Sequence, residues 1–278
     1  MDYTFLRFPG FKKRAVTLSY DDGMVYDKLL VEILNTYGIK CTFNLNSELF
    51  AAEAADTRRR LTAEEAYKLF ADGPHEIAVH GCKHLHLNYY PMQAALTEII
   101  EDRKNLEKMF GKVVNGMAYA YGTYDDDTLE AVRCSGIKYA RTVESTNNFL
   151  IPTDWLRMPS TCHHISPDLQ GLIKEFLDDK SRKMPSAAPR LFYLWGHSYE
   201  FADNANWDII ENFAKTMGKR DDIWQATNGE VYEYVKAYDA LEFGAAGNMV
   251  YNPTSTDVFL NCEGKEYIAS AGATTVLK

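Results

Sequence analysis

The apolar positions of the chain follow two spacings in turn, and this alternation predicts strands followed by helices. Residues 15–20 form a short apolar run typical of a buried strand, which ends at Asp21-Asp22-Gly23. From residue 29 onwards, apolar side chains recur at helical spacing until Gly38, a residue that favours a helix end. Further strands are predicted at residues 39–45, 76–79, 117–121, 138–143 and 191–195.

Helices are predicted between these strands. Thr62 and Glu65 have the spacing of a capping box, which predicts a helix from there to residue 71. The other predicted helices cover residues 91–110, 126–134, 166–179, 207–217 and 229–240, and a flexible linker is predicted at 180–189. Because strand and helix alternate at least six times, we expect a parallel sheet covered by helices, either a barrel or a doubly wound sheet.

The character of the sequence changes after residue 240. Segments rich in Gly, Asn and Thr surround short β-like runs at residues 249–251, 258–261 and 267–269. We therefore predict a main α/β domain at residues 1–240 and a small β-rich extension at residues 241–278.

Composition narrows the class of protein. The chain has 278 residues, 46% of them hydrophobic, and a net charge of −9, which fits a globular protein with a real core. The acidic balance argues against a nucleic-acid or anionic-membrane partner, and no run approaches the ~18 apolar residues of a membrane span. The first residues lack the apolar core of a secretory signal, so a cytoplasmic location is expected for this sequence, or an extracytoplasmic one if a leader has been removed. Five scattered cysteines without a CxxC pair suit a reducing compartment.

Two histidines follow the strand predicted at residues 76–79. His80 and His84 are four residues apart, which places two imidazoles on one face of a helical turn, where they can share a metal ion. A capping or core-edge histidine pair has the same spacing. The pair by itself therefore leaves both interpretations open.

Two adjacent carboxylates, Asp21 and Asp22, follow the first predicted strand. The carboxyl ends of parallel strands carry the active sites of α/β folds, so a carboxylate can join the two histidines there. Such a set suits zinc-dependent hydrolysis or a non-haem iron oxygenase, whereas a structural Asp-Asp-Gly turn needs no ligand. Hydrolysis also needs a base and an acid, which Asp21 and His197 can supply, and it is the better interpretation.

These motifs occur in a characteristic order. Residues 17–23 (TLSYDDG) are followed by His80-x-x-x-His84, then by residues 119–122 (YAYG) and 194–197 (LWGH). In this order the chain resembles the polysaccharide deacetylase family, also called carbohydrate esterase family 4 or the NodB homology domain. The resemblance extends over residues 14–240 and is most specific in the first two motifs.

The resemblance implies a fold and a metal. The fold would be α/β, a distorted (β/α)7 TIM-like barrel with a small C-terminal β appendage. One divalent ion, usually Zn²⁺ and otherwise Co²⁺, Ni²⁺ or Mn²⁺, would be bound by Asp22, His80 and His84.

The resemblance also implies an activity, the removal of acetyl groups from N-acetylated sugars such as N-acetylglucosamine oligomers or polymers. Asp21 would be the catalytic base and His197 the general acid. The backbone N–H of Tyr121 would donate to the oxyanion.

The third motif departs from the family pattern. Ala118 and Ala120 stand where the family usually has an arginine and a proline. The missing arginine normally positions the catalytic aspartate. Arg141 or Arg157 could fold in as a substitute, although we expect a surface ion pair for each.

The sugar-facing wall is predicted from aromatic and basic side chains, with Trp195, Trp155 and Arg157 as substrate-binding residues. The predicted partner is an acetylated carbohydrate, and the oligomeric state stays open. Three alternatives remain on the same barrel: hydrolysis of O-acetyl sugar esters, hydrolysis of cyclic imides or ureides, and carbohydrate binding without catalysis.

Overall fold

A computed structural model of the chain describes residues 3–53, 60–179 and 188–277. Most of the linker predicted at 180–189 lies outside these residues. The helices are α1 (Asp27–Tyr37), α2 (Ala63–Phe70), α3 (Met92–Phe110), α4 (Asp126–Cys134), α5 (Leu169–Leu177), α6 (Ser198–Asp203), α7 (Asp208–Met217) and α8 (Asn228–Asp239). Short 3₁₀ turns cover Leu87–Tyr89, Ala120–Gly122 and Trp155–Arg157. No helix among the described residues is both long and apolar enough to cross a bilayer.

The strands fall into one large sheet and two small ones. Those of the large sheet are β2 (Arg14–Asp21), β3 (Thr42–Leu45), β4 (Glu76–Val79), β5 (Gly116–Ala118), β6 (Tyr139–Ser145), β7 (Met158–Ser160), β8 (Cys162–His163), β9 (Arg190–Gly196) and β10 (Ile223–Gln225). Those of the small sheets are β1 (Leu6–Arg7), β11 (Glu242–Phe243), β12 (Met249–Tyr251), β13 (Val258–Cys262), β14 (Lys265–Ala269) and β15 (Thr274–Val276).

The large sheet is parallel and confirms the predicted α/β class. Its order is β7-β6-β5-β4-β3-β2-β9-β8, and β10 pairs with β2. β2 is central: β9 pairs along one edge, while β10 and β3 share the other edge. Every residue of β2 is buried, as expected for a strand covered on both faces.

The two edge strands of the large sheet, β7 and β8, follow each other in the chain and are separated only by Thr161. β7 pairs with β6 at one edge of the sheet, and β8 pairs with β9 at the other. The N–H of Thr161 donates to Tyr193 on β9, and its carbonyl oxygen accepts from Asn147, each at 2.9 Å. The large sheet does not close into a regular barrel. However, the extended segment formed by β7, Thr161 and β8 contacts strands at both edges of the sheet.

Local signals in the sequence account for several element boundaries. The capping box predicted at Thr62 is confirmed: its Oγ1 accepts from the N–H of Glu65 at 3.2 Å, and its own N–H donates to that side chain at 2.9 Å. Gly38 ends α1 with φ 69°, the left-handed conformation that glycine adopts at little cost.

The C-terminal strands form the small β appendage, and the first residues of the chain join it. β13 pairs with both β1 and β14, while β12 pairs with β11 and β15. Side chains of this region pack with α8 in a second apolar cluster that includes Phe8, Tyr234, Val250 and Leu260. The domain boundary at residue 240 stays a prediction.

Candidate active site

The predicted site residues lie at the carboxyl ends of three strands. Asp21 is the last residue of β2, His80 directly follows β4, and His197 directly follows β9. β9 and β3 flank β2, and β4 pairs with β3. Because all these strands are parallel, the three side chains meet at the same edge of the sheet.

Asp22, His80 and His84 are close enough to share a metal ion, since one ligand atom from each lies within 4.8 Å of the other two. Asp22 Oδ1 is 3.6 Å from His84 Nε2. His80 Nδ1 lies 2.8 Å from the carbonyl oxygen of Ala118, which can only accept, so in the neutral ring Nδ1 carries the proton and Nε2 has the lone pair. Two imidazoles and one carboxylate in this state fit a divalent ion such as Zn²⁺.

The backbone holds two of these side chains in sharp turns. Asp22 and His84 have φ of 83° and 55°, in the left-handed region. The N–H of Asp22 donates to the carbonyl oxygen of Asn44 at 3.0 Å. Burial, followed by the neighbouring His80, lowers the pKa of His84 to about 4, so a neutral imidazole is favoured at pH 7, as a metal ligand requires.

The carboxylate of Asp21 is buried and ionised. Its side chain is 2% exposed, Oδ1 accepts from Asn44 Nδ2 at 2.7 Å, and Oδ2 accepts from Nη2 of Arg141. Burial acts to raise the pKa of Asp21, but Arg141 and the neighbouring histidines outweigh it and lower the pKa to about 2. A carboxylate in this state is ready to accept a proton at neutral pH.

The arginine beside Asp21 comes from a neighbouring strand. We expected a surface ion pair for Arg141, and that expectation is wrong: its side chain is 1% exposed and lies 4.1 Å above the Trp195 ring. In the sheet, Arg141 on β6 pairs directly with Ala118 on β5, where the family motif has its arginine. Paired residues point to the same face of a sheet, so Arg141 reaches the space that Ala118 leaves.

His197 lies between two carboxylates. Its Nε2 is 3.9 Å from Asp21 Oδ2, and its Nδ1 is 3.3 Å from Glu200 Oε2. Burial acts to lower the pKa of His197, but Glu200 and Asp21 raise it above the ordinary histidine value. The protonated ring is therefore more favoured at this position than in an ordinary histidine.

Tyr121 borders the His84 side of the site. It has φ 57°, its side chain is 55% exposed, and its ring centroid is 4.4 Å from that of His84. The ring also stacks on His86 at 3.7 Å, and His86 stacks on Tyr89 at 5.0 Å. An exposed row of rings thus leads outwards from the candidate metal ligands.

A cavity of about 400 Å³ opens on the Asp22 side. Its lining includes Tyr26, Arg60, Tyr199 and Asp203. Arg60 donates to Asp22 Oδ1 at 3.0 Å and to Asn46 at 2.6 Å. Such a mixture of aromatic rings and charged groups can contact both the faces and the hydroxyls of a polar ligand.

The structure does not bring two of the predicted substrate-binding residues to this site. Trp155 is buried in the second apolar cluster, with its ring 5.2 Å from that of Tyr232 on α8. Arg157 forms an exposed ion pair with Asp154 at 2.7 Å, as expected for a surface arginine. Both lie in or beside a short 3₁₀ turn whose neighbours could not be inferred from sequence spacing. Trp195 does lie beside the site, but it is buried under Arg141.

Two polar residues near the site, Asn44 and Arg60, were missed in the sequence. Asn44 ends a strand beside Asp21, which was a usable signal, because polar residues at strand ends were the criterion for the others. Arg60 comes from a loop, and its position does not follow from a motif, because it depends on how that loop folds back. Glu200, three residues after His197, could be taken from the sequence either as the orienting partner of that ring or as a surface charge, and the structure places its Oε2 3.3 Å from His197 Nδ1.

Comparisons with known proteins relate part of the chain to polysaccharide deacetylases. A family model described as polysaccharide deacetylase matches residues 9–140. The chain is 28% identical over 160 residues to the poly-beta-1,6-N-acetyl-D-glucosamine N-deacetylase of Staphylococcus aureus, which covers 51% of this chain and 54% of that protein. The chain spans about half the length of the curated relatives it matches.

Solved structures agree on the fold. A Mycobacterium smegmatis protein superposes with a TM-score of 0.60 at 16% identity, covering 84% of this chain and 94% of that one. A family 4 carbohydrate esterase from Streptomyces lividans superposes with a TM-score of 0.50 at 12% identity, covering 77% and 92%. The chain has the fold of these proteins, and residues 9–140 match the polysaccharide deacetylase family model.

Proposed function

We propose that the protein is a metal-dependent hydrolase that removes acetyl groups from N-acetylated sugars, in particular oligomers or polymers containing N-acetylglucosamine. One observation carries the proposal: Asp21, an ionised carboxylate, shares its edge of the sheet with a three-ligand group and with a protonatable histidine. The Staphylococcus aureus relative, whose name states N-deacetylation of such a polymer, supports the choice of substrate.

Asp22, His80 and His84 would hold the metal ion. When bound, a divalent ion lowers the pKa of a water molecule and polarises an acyl oxygen. Asp21 accepts the proton of the attacking water, because Arg141 and Asn44 keep its carboxylate ionised and fixed.

His197 would complete the reaction as the general acid. The amine of an amide is a poor leaving group unless it gains a proton as the C–N bond breaks. Nε2 of His197 supplies that proton, and the water adds its oxygen to the acyl carbon, so the products are acetate and a free amino sugar. The backbone N–H of Tyr121 donates to the oxyanion, a contribution of about 3–4 kcal/mol in other acyl-transfer enzymes.

The test is release of acetate from N-acetylglucosamine oligomers by the zinc-loaded full chain. Asp21→Asn and His80→Ala should each abolish release, whereas His75→Gln should not, since His75 lies away from the site and bonds to Asn35 at 3.1 Å. His80→Ala should also lower the zinc bound after dialysis. Asp21→Asn should retain the zinc.

Other outcomes would point to the alternatives. Acetate released only from acetylated xylan would replace the amide substrate by an ester. Turnover of cyclic imides or ureides alone would overturn the acetyl substrate. Zinc bound without any turnover would favour a carbohydrate-binding protein and refute the proposed hydrolase.

A further inference from the structure

A second cluster of polar side chains lies behind His197. Oε2 of Glu200 is 3.3 Å from His163 Nε2, 3.2 Å from His164 Nε2 and 3.3 Å from His197 Nδ1. The backbone N–H of His197 donates to the same oxygen at 3.1 Å. Of these four residues, the proposed reaction uses only His197.

The position of His164 is fixed on three sides. Its ring is fully buried and lies between Tyr20, at 5.7 Å, and Phe201, at 4.0 Å. A Cβ at Gly196 would fall 2.0 Å from Nδ1 of His164, so only glycine leaves room for the ring. The ring therefore cannot turn away from Glu200 without a change in its surroundings.

The hydrogen bonding of His163 indicates whether this cluster can bind a metal ion. The backbone N–H of Ile165 donates to His163 Nδ1 at 3.3 Å, so Nδ1 is an acceptor and the proton of the neutral ring lies on Nε2. That nitrogen faces Glu200 and can donate to it. The ligand atoms of His163, His164 and Glu200 are close enough for a metal ion, but a protonated Nε2 cannot bind one. His163 therefore faces the carboxylate of Glu200 with a donor and not with a metal-binding lone pair.

The carboxylate at the centre is strongly stabilised as an anion. Burial acts to raise the pKa of Glu200, but the neighbouring His163 and His197 hold it well below its usual range. Glu200 lies in the first turn of α6, directly after His197. The carboxylate of Glu200 thus lies between its own helix and His163 of the large sheet.

We propose that Glu200 is the positioning residue of His197, and that His163 and His164 fix the carboxylate of Glu200. The inference rests on the proposed function, in which His197 donates a proton from Nε2. With Nδ1 3.3 Å from Glu200 Oε2, the ring presents Nε2 towards Asp21 Oδ2, 3.9 Å away. The anion also balances the positive charge of the protonated ring.

Other titratable groups besides Glu200 face His197 and also influence its pKa. Asp21 approaches from β2, His163 from β8 with its ring centroid 6.2 Å away, and Tyr199 from α6 at 5.1 Å. The variant Glu200→Gln removes one charge from this set and keeps the size of the side chain. Glu200→Asp keeps the charge and shortens the side chain.

Histidine ring nitrogen NMR on the full chain measures the effect without turnover. In Glu200→Gln the pKa of His197 should fall by about one pH unit or more, and the proton should no longer be held on Nδ1. Glu200→Asp should recover part of both effects. The matched control is Glu211→Gln on the exposed face of α7, which should change neither.

Kinetics on N-acetylglucosamine oligomers give the second readout. Glu200→Gln should lower kcat about tenfold to a hundredfold, the usual effect of removing an orienting partner, with little change in KM. His163→Phe and His164→Phe, which keep a ring but lose the nitrogens, should have smaller effects in the same direction. A His197 pKa and tautomer unchanged in Glu200→Gln would overturn the inference. Failure of the wild type to act on any acetylated sugar would refute the proposed function instead, while the NMR comparison would still decide the role of Glu200.

Discussion

The buried ion pair between Arg141 and Asp21 gives the sharpest stability prediction. The two side chains are 1% and 2% exposed. Arg141→Met keeps much of the length but, among the residues that the structure describes, leaves Asn44 as the only close hydrogen-bond donor to the Asp21 carboxylate. Breaking a buried pair on one side costs about 3–5 kcal/mol, because the remaining charge is uncompensated. The lost contact with the Trp195 ring adds about 0.5–2 kcal/mol.

The free energy of unfolding can be measured by urea denaturation followed by tryptophan fluorescence. We expect Arg141→Met to lose about 3–5 kcal/mol, and the double variant with Asp21→Asn to recover a large part of that loss, since the neutral amide no longer needs a cation. Arg157→Met is the matched control. Its ion pair with Asp154 is about half exposed, so its loss should cost less than about 1 kcal/mol.

Two results would refute the reasoning. If Arg141→Met and Arg157→Met cost the same, burial does not determine the strength of the pair. If Asp21→Asn fails to rescue Arg141→Met, the arginine stabilises the protein through packing and not through the carboxylate. In either case Arg141 would not be the substitute for the motif arginine that Ala118 lacks.

Three further predictions concern pH, packing and metal. Burial raises the pKa of Asp27 to about 8 from 3.8, so between these pH values the folded state holds a proton that the unfolded state has lost. The free energy of unfolding should therefore fall by up to ~1.4 kcal/mol per pH unit between about pH 4 and 8. In urea titrations at several pH values, Asp27→Asn should flatten that slope. Gly196→Ala should lower the melting temperature, because its Cβ would lie 2.0 Å from a histidine nitrogen. Gly171→Ala, inside α5 with open space around it, should instead increase the free energy of unfolding by about 0.5–1 kcal/mol. An equal effect of both substitutions would contradict the packing argument. Asp22→Asn should weaken zinc binding in equilibrium dialysis while His86→Ala should not, and an unchanged zinc content in Asp22→Asn would remove Asp22 from the ligand set.

The sequence by itself determined the class of fold and the principal polar residues of the site. Apolar runs that end in Asp21, His80 and His197 are local patterns, and parallel strands bring such ends to a common edge whatever the loops do. The capping box at Thr62 and the glycine at position 38 are also local, since their hydrogen bonds and backbone angles involve residues a few positions apart.

Only the tertiary structure decided which distant side chains complete the site. Arg141 reaches Asp21 through the register between β5 and β6, and 120 residues separate the two in the chain. The sequence around Arg141 carries no sign of this, because an arginine in a strand can equally face solvent. Trp155 gives the converse case, since its aromatic character suited a sugar site while the fold buries it against α8. Side-chain partners across a sheet depend on register and burial, and those are properties of the folded chain and not of any local pattern.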